Sequence, residues 1–332
     1  MNFFKTIWVI FILLGQSLQV FSQSNLKEDT HKLREILKPY FVPIEKDDEF
    51  LSIEKEKIDL GRRLFYDKTL SAQANISCNS CHDLKKYGTN GQYYQELKKK
   101  TFYRDVPSIY NVATLPMYNA DGGMTTLKEK LGHSVLSPYE MGMPGKSEMV
   151  DRLKKKIDYQ ILFEKAFPNE SDPISFNNMI NALYFFIQGL VTPAPVDKFI
   201  KGDDNAFTKE QIEGGLVFNS KSCYTCHTGS NIGGQMLQKL GITEEWHNQK
   251  DLGYYDVAKQ SVYKMFFRVA PLRNVEYTAP YFHDASSGKL NTAIKTMGRY
   301  ELGTTLSEQE TLKIEQFLIA LSGDIPYDYI KN

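Results

Sequence analysis

The sequence predicts a mainly α chain made of two related halves, and three observations carry the prediction. Apolar residues recur at helical spacing over Ile53–Phe65, Met179–Leu190, Lys209–Phe218 and Thr311–Leu321, whereas alternating strand patterns are short and rare. A Cys-x-x-Cys-His motif occurs twice, as Cys78-Asn79-Ser80-Cys81-His82 and as Cys223-Tyr224-Thr225-Cys226-His227. The segments flanking the two motifs echo one another in the same order.

Composition sets the frame for these elements. The chain has 332 residues with 40 basic and 40 acidic side chains, so no net charge draws it toward nucleic acid or an anionic membrane. Its 42% hydrophobic and 24% charged content suits a folded chain and excludes disorder, and the length suits two domains.

Residues 1–22 read as an export signal. Lys5 precedes the apolar run Ile7–Leu14, too short to span a bilayer, and Val20-Phe21-Ser22 offers a cleavage site. No Cys lies near that site for lipid attachment, and no later stretch is apolar enough for a membrane span. The expected product is a soluble periplasmic protein, with an N-terminal domain over 23–192 and a C-terminal domain over 193–332.

In each half a helix leads into the Cys motif, through Leu60-Gly61-Arg62-Arg63-Leu64-Phe65 in the first and Gly214-Gly215-Leu216-Val217-Phe218 in the second. An exported chain ordinarily pairs its cysteines, but all four here lie in Cys-x-x-Cys-His, the attachment motif of c-type haem. Two thiols add to the haem vinyl groups, and the adjacent His reaches the iron. Zinc-ribbon pairs sit about 15–20 residues apart, far closer than Cys78 and Cys223, and a thioredoxin-like pair explains neither the duplication nor the histidines. Two covalently bound c-type haems in two cytochrome c-like domains are therefore expected.

Downstream, Pro107-Ser108-Ile109-Tyr110-Asn111-Val112 is echoed by Pro271-Leu272-Arg273-Asn274-Val275. Tyr118-Asn119-Ala120-Asp121 and then Leu127 are echoed by Tyr281-Phe282-His283-Asp284 and then Leu290. Asn177–Leu190 reads as a core helix. The prolines of Val191-Thr192-Pro193-Ala194-Pro195-Val196, running into Lys201-Gly202-Asp203-Asp204-Asn205, read as a linker. Lys98-Lys99-Lys100 and Lys154-Lys155-Lys156 read as solvated faces, or as a docking patch for an acidic donor.

Function turns on what stands opposite each histidine, because a Met ligand suits electron transfer and an open iron with an acid–base group suits activation of an oxidant. Met297 lies on the expected helix Leu290–Arg299, with Met236 and Met265 as competitors. The matching position of the first half is Ser134, and His133 and Glu140 stand near it. A carboxylate such as Glu140 can shuttle a proton between peroxide oxygens, and a surface Glu is the plainer reading.

These residues resemble the bacterial di-haem cytochrome c peroxidases over nearly the whole chain after the export segment. The resemblance is carried by Leu60–Phe65 with Leu70-Ser71, Ser137-Pro138-Tyr139-Glu140-Met141, Leu272–Val275, Thr278-Ala279-Pro280-Tyr281-Phe282-His283, and Met297 with Leu302-Gly303. It implies that a haem on His82 reduces hydrogen peroxide with Glu140 as the catalytic glutamate. It also implies that a haem on His227, with Met297 as second axial ligand, receives electrons from a small cytochrome c or copper protein. A calcium ion at Asp105, Thr278 and Pro280 belongs to the same pattern, Asp standing for the family's Asn and keeping a hard oxygen donor. Members of the family often pair as homodimers. Relatives that mature a quinone cofactor, and so oxidise a protein substrate, carry Tyr where Met297 stands, which favours the peroxidase branch. A non-catalytic electron carrier is the reading from another class, and it requires both irons to be six-coordinate.

The chain departs from the pattern at three further places. Leu97 stands where activatable members carry a distal His, which implies a first haem already open when oxidised; His133 is the alternative ligand. Ala120-Asp121-Gly122-Gly123 replaces a Trp-Asp-Gly-Arg segment and loses the indole between the haems, leaving Tyr110, Tyr118 and Tyr139 as candidate relays. Lys130 stands where Gln is common, giving the distal pocket a different charge.

Overall fold

A computed structural model of the protein describes residues 25–91 and 104–331. The export segment, Leu97 and Lys98-Lys99-Lys100 lie outside the described residues. In chain order the helices are α1 (25–37), α2 (Asp48–Ile53), α3 (Lys55–Tyr66), α4 (Cys78–Cys81), α5 (Leu127–Leu136), α6 (Lys146–Lys154), α7 (Ile157–Ala166), α8 (Phe176–Gln188) and α9 (Pro195–Ile200). They continue with α10 (Lys209–Ser220), α11 (Tyr255–Ala258), α12 (Leu290–Leu302), α13 (Glu308–Ile319) and α14 (Tyr327–Ile330). The strands β1 (Leu237–Lys239) and β2 (Phe266–Arg268) pair antiparallel, with Gln238 opposite Phe267. The mainly α expectation holds, and every helix expected from periodicity is present within a few residues of its expected ends.

Each half is organised by one helix pair. In the first, α3 buries Leu60, Leu64 and Phe65 against Met179, Leu183 and Phe186 of α8. In the second, α10 packs Ile212 and Phe218 against Ile314, Phe317 and Leu318 of α13. The crossings are equivalent to the atom. A Cβ on Gly61 would strike the Ala182 carbonyl and Phe186, and a Cβ on Gly214 would strike the Lys313 carbonyl and Phe317. Glycine at both positions is thus a packing requirement, which lets the backbones touch. Local signals start these helices: the hydroxyls of Ser175, Thr208 and Ser307 accept from the backbone N–H groups of Asn178, Gln211 and Glu310.

The chain ends cross between the two clusters. Leu33, Leu37 and Phe41 pack into the second. Ile325 and Ile330 pack into the first, where Tyr329 donates its hydroxyl to the Phe186 carbonyl and Arg62 donates to the Tyr329 carbonyl.

The first part of the expected linker is a junction with Thr192, Ala194 and Val196 buried, whereas residues 201–205 form an exposed turn. Pro195 occupies the first turn of α9, where a missing N–H costs nothing, so it starts a helix instead of interrupting one. Thr192 is fully buried, and its hydroxyl accepts from the side-chain amides of both Asn111 (2.8 Å) and Asn274 (2.9 Å). Asp197 on α9 forms a buried two-pronged ion pair with Arg273, at 2.5 and 2.9 Å.

The crossing makes a stability prediction. Gly61→Val should destabilise the haem-loaded protein by about 2–3 kcal/mol, read as a lower urea midpoint, whereas Gly145→Ala, with no atom near its added Cβ, should be neutral. Equal midpoints for the two variants would contradict the packing account.

Candidate functional site

The first motif is held by its own capping residues. Ser77 and Ser80 form a capping box around α4, and the Asn79 side chain accepts from Leu84 N–H, so the chain turns sharply after His82. His82 Nδ1 lies 3.1 Å from the Gly88 carbonyl, at a glycine with φ of +71°. That partner fixes the proton on Nδ1 and leaves Nε2 free to bind a metal. His227 Nδ1 lies beside the Ala270 and Ile232 carbonyls without a well-aligned hydrogen bond. Burial lowers the pKa of both rings, that of His227 to about 4, so both imidazoles are neutral, the form that binds metal.

All four cysteines are free thiols. Burial pushes Cys78 up to about 12 and Cys223 up to about 11, which keeps them protonated and outside disulfide exchange. Arg268 on β2 adds an unmet demand. Its Nε donates to the Asn119 carbonyl at 3.1 Å, its Nη1 is buried with no partner, and burial lowers its pKa to about 10. Unpaired thiols, neutral buried imidazoles and a buried guanidinium nitrogen without a partner among the described residues together fit a haem, which brings two vinyl groups, an iron and two propionates.

Glu140 reaches the first motif through a turn at the end of α5. Thr126 caps α5, and Leu127, Leu131 and Val135 turn one face into the core, leaving Lys130 and His133 on another. After Ser137 the chain reverses: Glu140 N–H and Gly142 N–H both donate to the Ser137 carbonyl, with Pro138 at the turn position it favours. The carboxylate thereby returns to α5. Lys130 Nζ donates to Oε1 at 2.9 Å and to Oε2 at 3.1 Å. His133 Nδ1 stands 3.6 Å from Oε1, beyond hydrogen-bond length, and its ring is half exposed. Burial opposes charge on Glu140, but His133, the Lys130 ammonium and Ser134 together hold its carboxyl well below the usual range. Given the distances, Lys130 carries the larger share. Glu140 keeps 31% of its side chain accessible, and its charge acts on Cys78, Cys81 and His82.

Met297 is half-buried on α12, whose Ala293, Ile294 and Gly298 are buried. Of its competitors, Met236 is exposed and Met265 is sealed in a core with Trp246 and Phe267.

Asp105 donates its backbone N–H to the His283 carbonyl at 2.7 Å, which ties it to the loop carrying Thr278 and Pro280. Burial raises its carboxyl to about 7, opposed by the Val106 N–H, and among the described residues no cation balances the side chain. Among the described residues no three His, Cys, Asp or Glu side chains cluster as a metal site. A cation at Asp105 would therefore draw its other ligands from carbonyls.

Two features beside this region escaped the sequence. Arg104 bridges Asp251, at 2.6 and 2.8 Å, and Asp121, at 2.5 Å. Trp246 packs in the cluster that includes Ala120, with His283 stacked on Phe267 at 4.2 Å. Asp251 carried no signal, and Trp246 only its rarity as one of two tryptophans.

A family model described as di-haem cytochrome c peroxidase matches residues 55–205. The cytochrome c551 peroxidase of Nitrosomonas europaea is 33% identical over 277 residues, covering 81% of this chain and 80% of its own. That of Pseudomonas aeruginosa is 33% identical over 286 residues, covering 82% and 81%. The methylamine utilization protein MauG of Methylophilus methylotrophus is 31% identical over 247 residues, covering 72% and 71%. Among solved structures, a MauG-like protein associated with microbial copper homeostasis superposes with a TM-score of 0.72 at 24% identity, covering 88% of this chain and 94% of that one, which speaks to the fold.

The unbalanced Asp105 makes a pH prediction. Its pKa is higher folded than unfolded, so its contribution to stability is present below about pH 4 and is lost as pH rises through about 7. In divalent-free buffer the urea midpoint of the wild type should fall between pH 6 and pH 8 relative to that of Asp105→Asn. Parallel curves would show that Asp105 is not the buried, unbalanced acid described.

Proposed function

The chain belongs to the di-haem cytochrome c peroxidase family, and we propose that it reduces hydrogen peroxide to water at a haem on His82. A second haem held by His227 would supply the redox chemistry for accepting electrons from a small cytochrome c or copper protein. The observation that carries this reading is the ionised Glu140 carboxylate, folded back onto Lys130 where its charge acts on the first Cys-x-x-Cys-His motif.

In this reading Cys78 and Cys81, and likewise Cys223 and Cys226, hold the haems by thioether bonds, with His82 and His227 as iron ligands. The bound haems supply the one-electron redox chemistry. The chain supplies ligands, proton handling and spacing. Met297 would supply the second ligand of the haem on His227, a thioether that favours electron transfer. At the first site Glu140 accepts a proton from one peroxide oxygen and delivers it to the other as the O–O bond breaks. Two electrons from the donor and two protons then balance one peroxide against two waters. The Gly88 carbonyl orients His82 throughout. In the sequence Leu97 stands where activatable members of the family carry a distal His, and a side chain that cannot ligate iron would leave a haem on His82 open without prior reduction. Arg268 Nη1 is available to a haem propionate. Asp105, with the carbonyls of Thr278 and Pro280, holds calcium, whose charge would balance the buried carboxylate. The export segment delivers the chain to the periplasm. There the cysteines are committed to haem instead of disulfides.

Replacing Glu140 separates a peroxidase from a carrier. Glu140→Gln should lower peroxide turnover by about 10²–10³-fold while the donor reduces the second haem at its normal rate. Full peroxide turnover in this variant would remove Glu140 from the mechanism.

A further inference from the structure

We propose that Lys130 is the specificity-determining cation of the first haem site, its ammonium making the distal cleft hold small anions, among them the hydroperoxide left when peroxide loses its proton. The inference rests on the reading of Glu140 as the acid–base group above the haem on His82.

The geometry supports a role beyond a surface ion pair. Lys130 and His133 project from the same face of α5, three residues apart, and the Ser137–Glu140 turn folds the carboxylate onto that face. The ammonium meets both carboxylate oxygens, at 2.9 and 3.1 Å, and only 23% of the lysine side chain is accessible. Neighbouring cations are engaged elsewhere: Lys128 lies over the Tyr184 ring, and Arg152 donates to the Ser71 and Ala72 carbonyls and to Glu148. The charge of Lys130 also acts on Cys78 and His82, so it belongs to the electrostatics of the haem pocket.

The chemistry follows from charge balance. With Glu140 ionised, the pair is neutral, and an arriving peroxide meets no net charge. When the proton passes from a peroxide oxygen to the carboxylate, Glu140 becomes neutral and the ammonium is left uncompensated beside the new anion. Without Lys130, the same cleft presents an unpaired carboxylate that repels anions. A unit charge within a few ångströms in a partly dry cleft is worth at least a factor of about ten in anion affinity.

The test uses the diferric holoprotein as wild type, Lys130→Gln and Lys130→Arg, titrated at neutral pH with fluoride as the anionic ligand and nitric oxide as the neutral one. Binding is read from the first haem's absorption spectrum. The expected result is that Lys130→Gln weakens fluoride about tenfold or more with nitric oxide unchanged, and that Lys130→Arg restores fluoride binding. A change in fluoride and nitric oxide together would mark Lys130 as merely structural and overturn the inference, as would unchanged fluoride affinity in Lys130→Gln. Fluoride binding to none of the three would overturn the open first haem, and this inference with it.

Discussion

Thr192 ties the two halves together through a buried hydroxyl, one of several contacts that fix their relative placement. Its oxygen accepts from Asn111 of one half and Asn274 of the other, while its backbone N–H donates to Asn111 Oδ1 and Gly323 N–H donates to Asn274 Oδ1. Both asparagines sit in the left-handed region, with φ of +61° and +60°, a conformation that Asn tolerates better than most residues. Each follows a proline of the duplicated segment and leads to the loop bordering its site. Buried polar groups of this kind are costly to leave unpaired, so the two loops are held in one relative placement. A chain that passes electrons between two centres needs such fixed spacing.

Charge inside the molecule is handled in matched sets. Arg273 pairs with Asp197 at the junction, Arg104 with Asp121 and Asp251, and Lys130 with Glu140. Among the described residues Asp105 and Arg268 depart from this pattern. Asp105 lacks a cation, and Arg268 has a buried nitrogen without a partner. In the proposed function a cation would balance the first and a haem carboxylate the second. The unmatched charges thus point to the same region as the motifs, by an independent physical argument.

Much of the fold was legible because it obeys periodicity and duplication. The glycines of Leu60–Phe65 and Gly214–Phe218 stood out as echoes, and the structure gives their reason: two helix crossings too close for a Cβ. Cys78–His82 and Cys223–His227 were legible because the motif is local. Pro195 misled, because the same residue that breaks a helix interior also begins one, and only packing decides which. The approach of Lys130 to Glu140 depends on a turn whose hydrogen bonds cannot be read from spacing. Arg104 with Asp251, and Trp246 beside Ala120, were hidden because the partners come from distant parts of the chain.

The central claim is that the haem on His82 meets peroxide directly, with Glu140 facing an open iron. The most direct measurement is the absorption and EPR spectrum of the purified diferric protein, before and after adding peroxide without reductant. The account predicts one high-spin ferric signal that peroxide consumes, beside a low-spin signal from the His227 haem that stays six-coordinate. Two low-spin signals untouched by peroxide would contradict it.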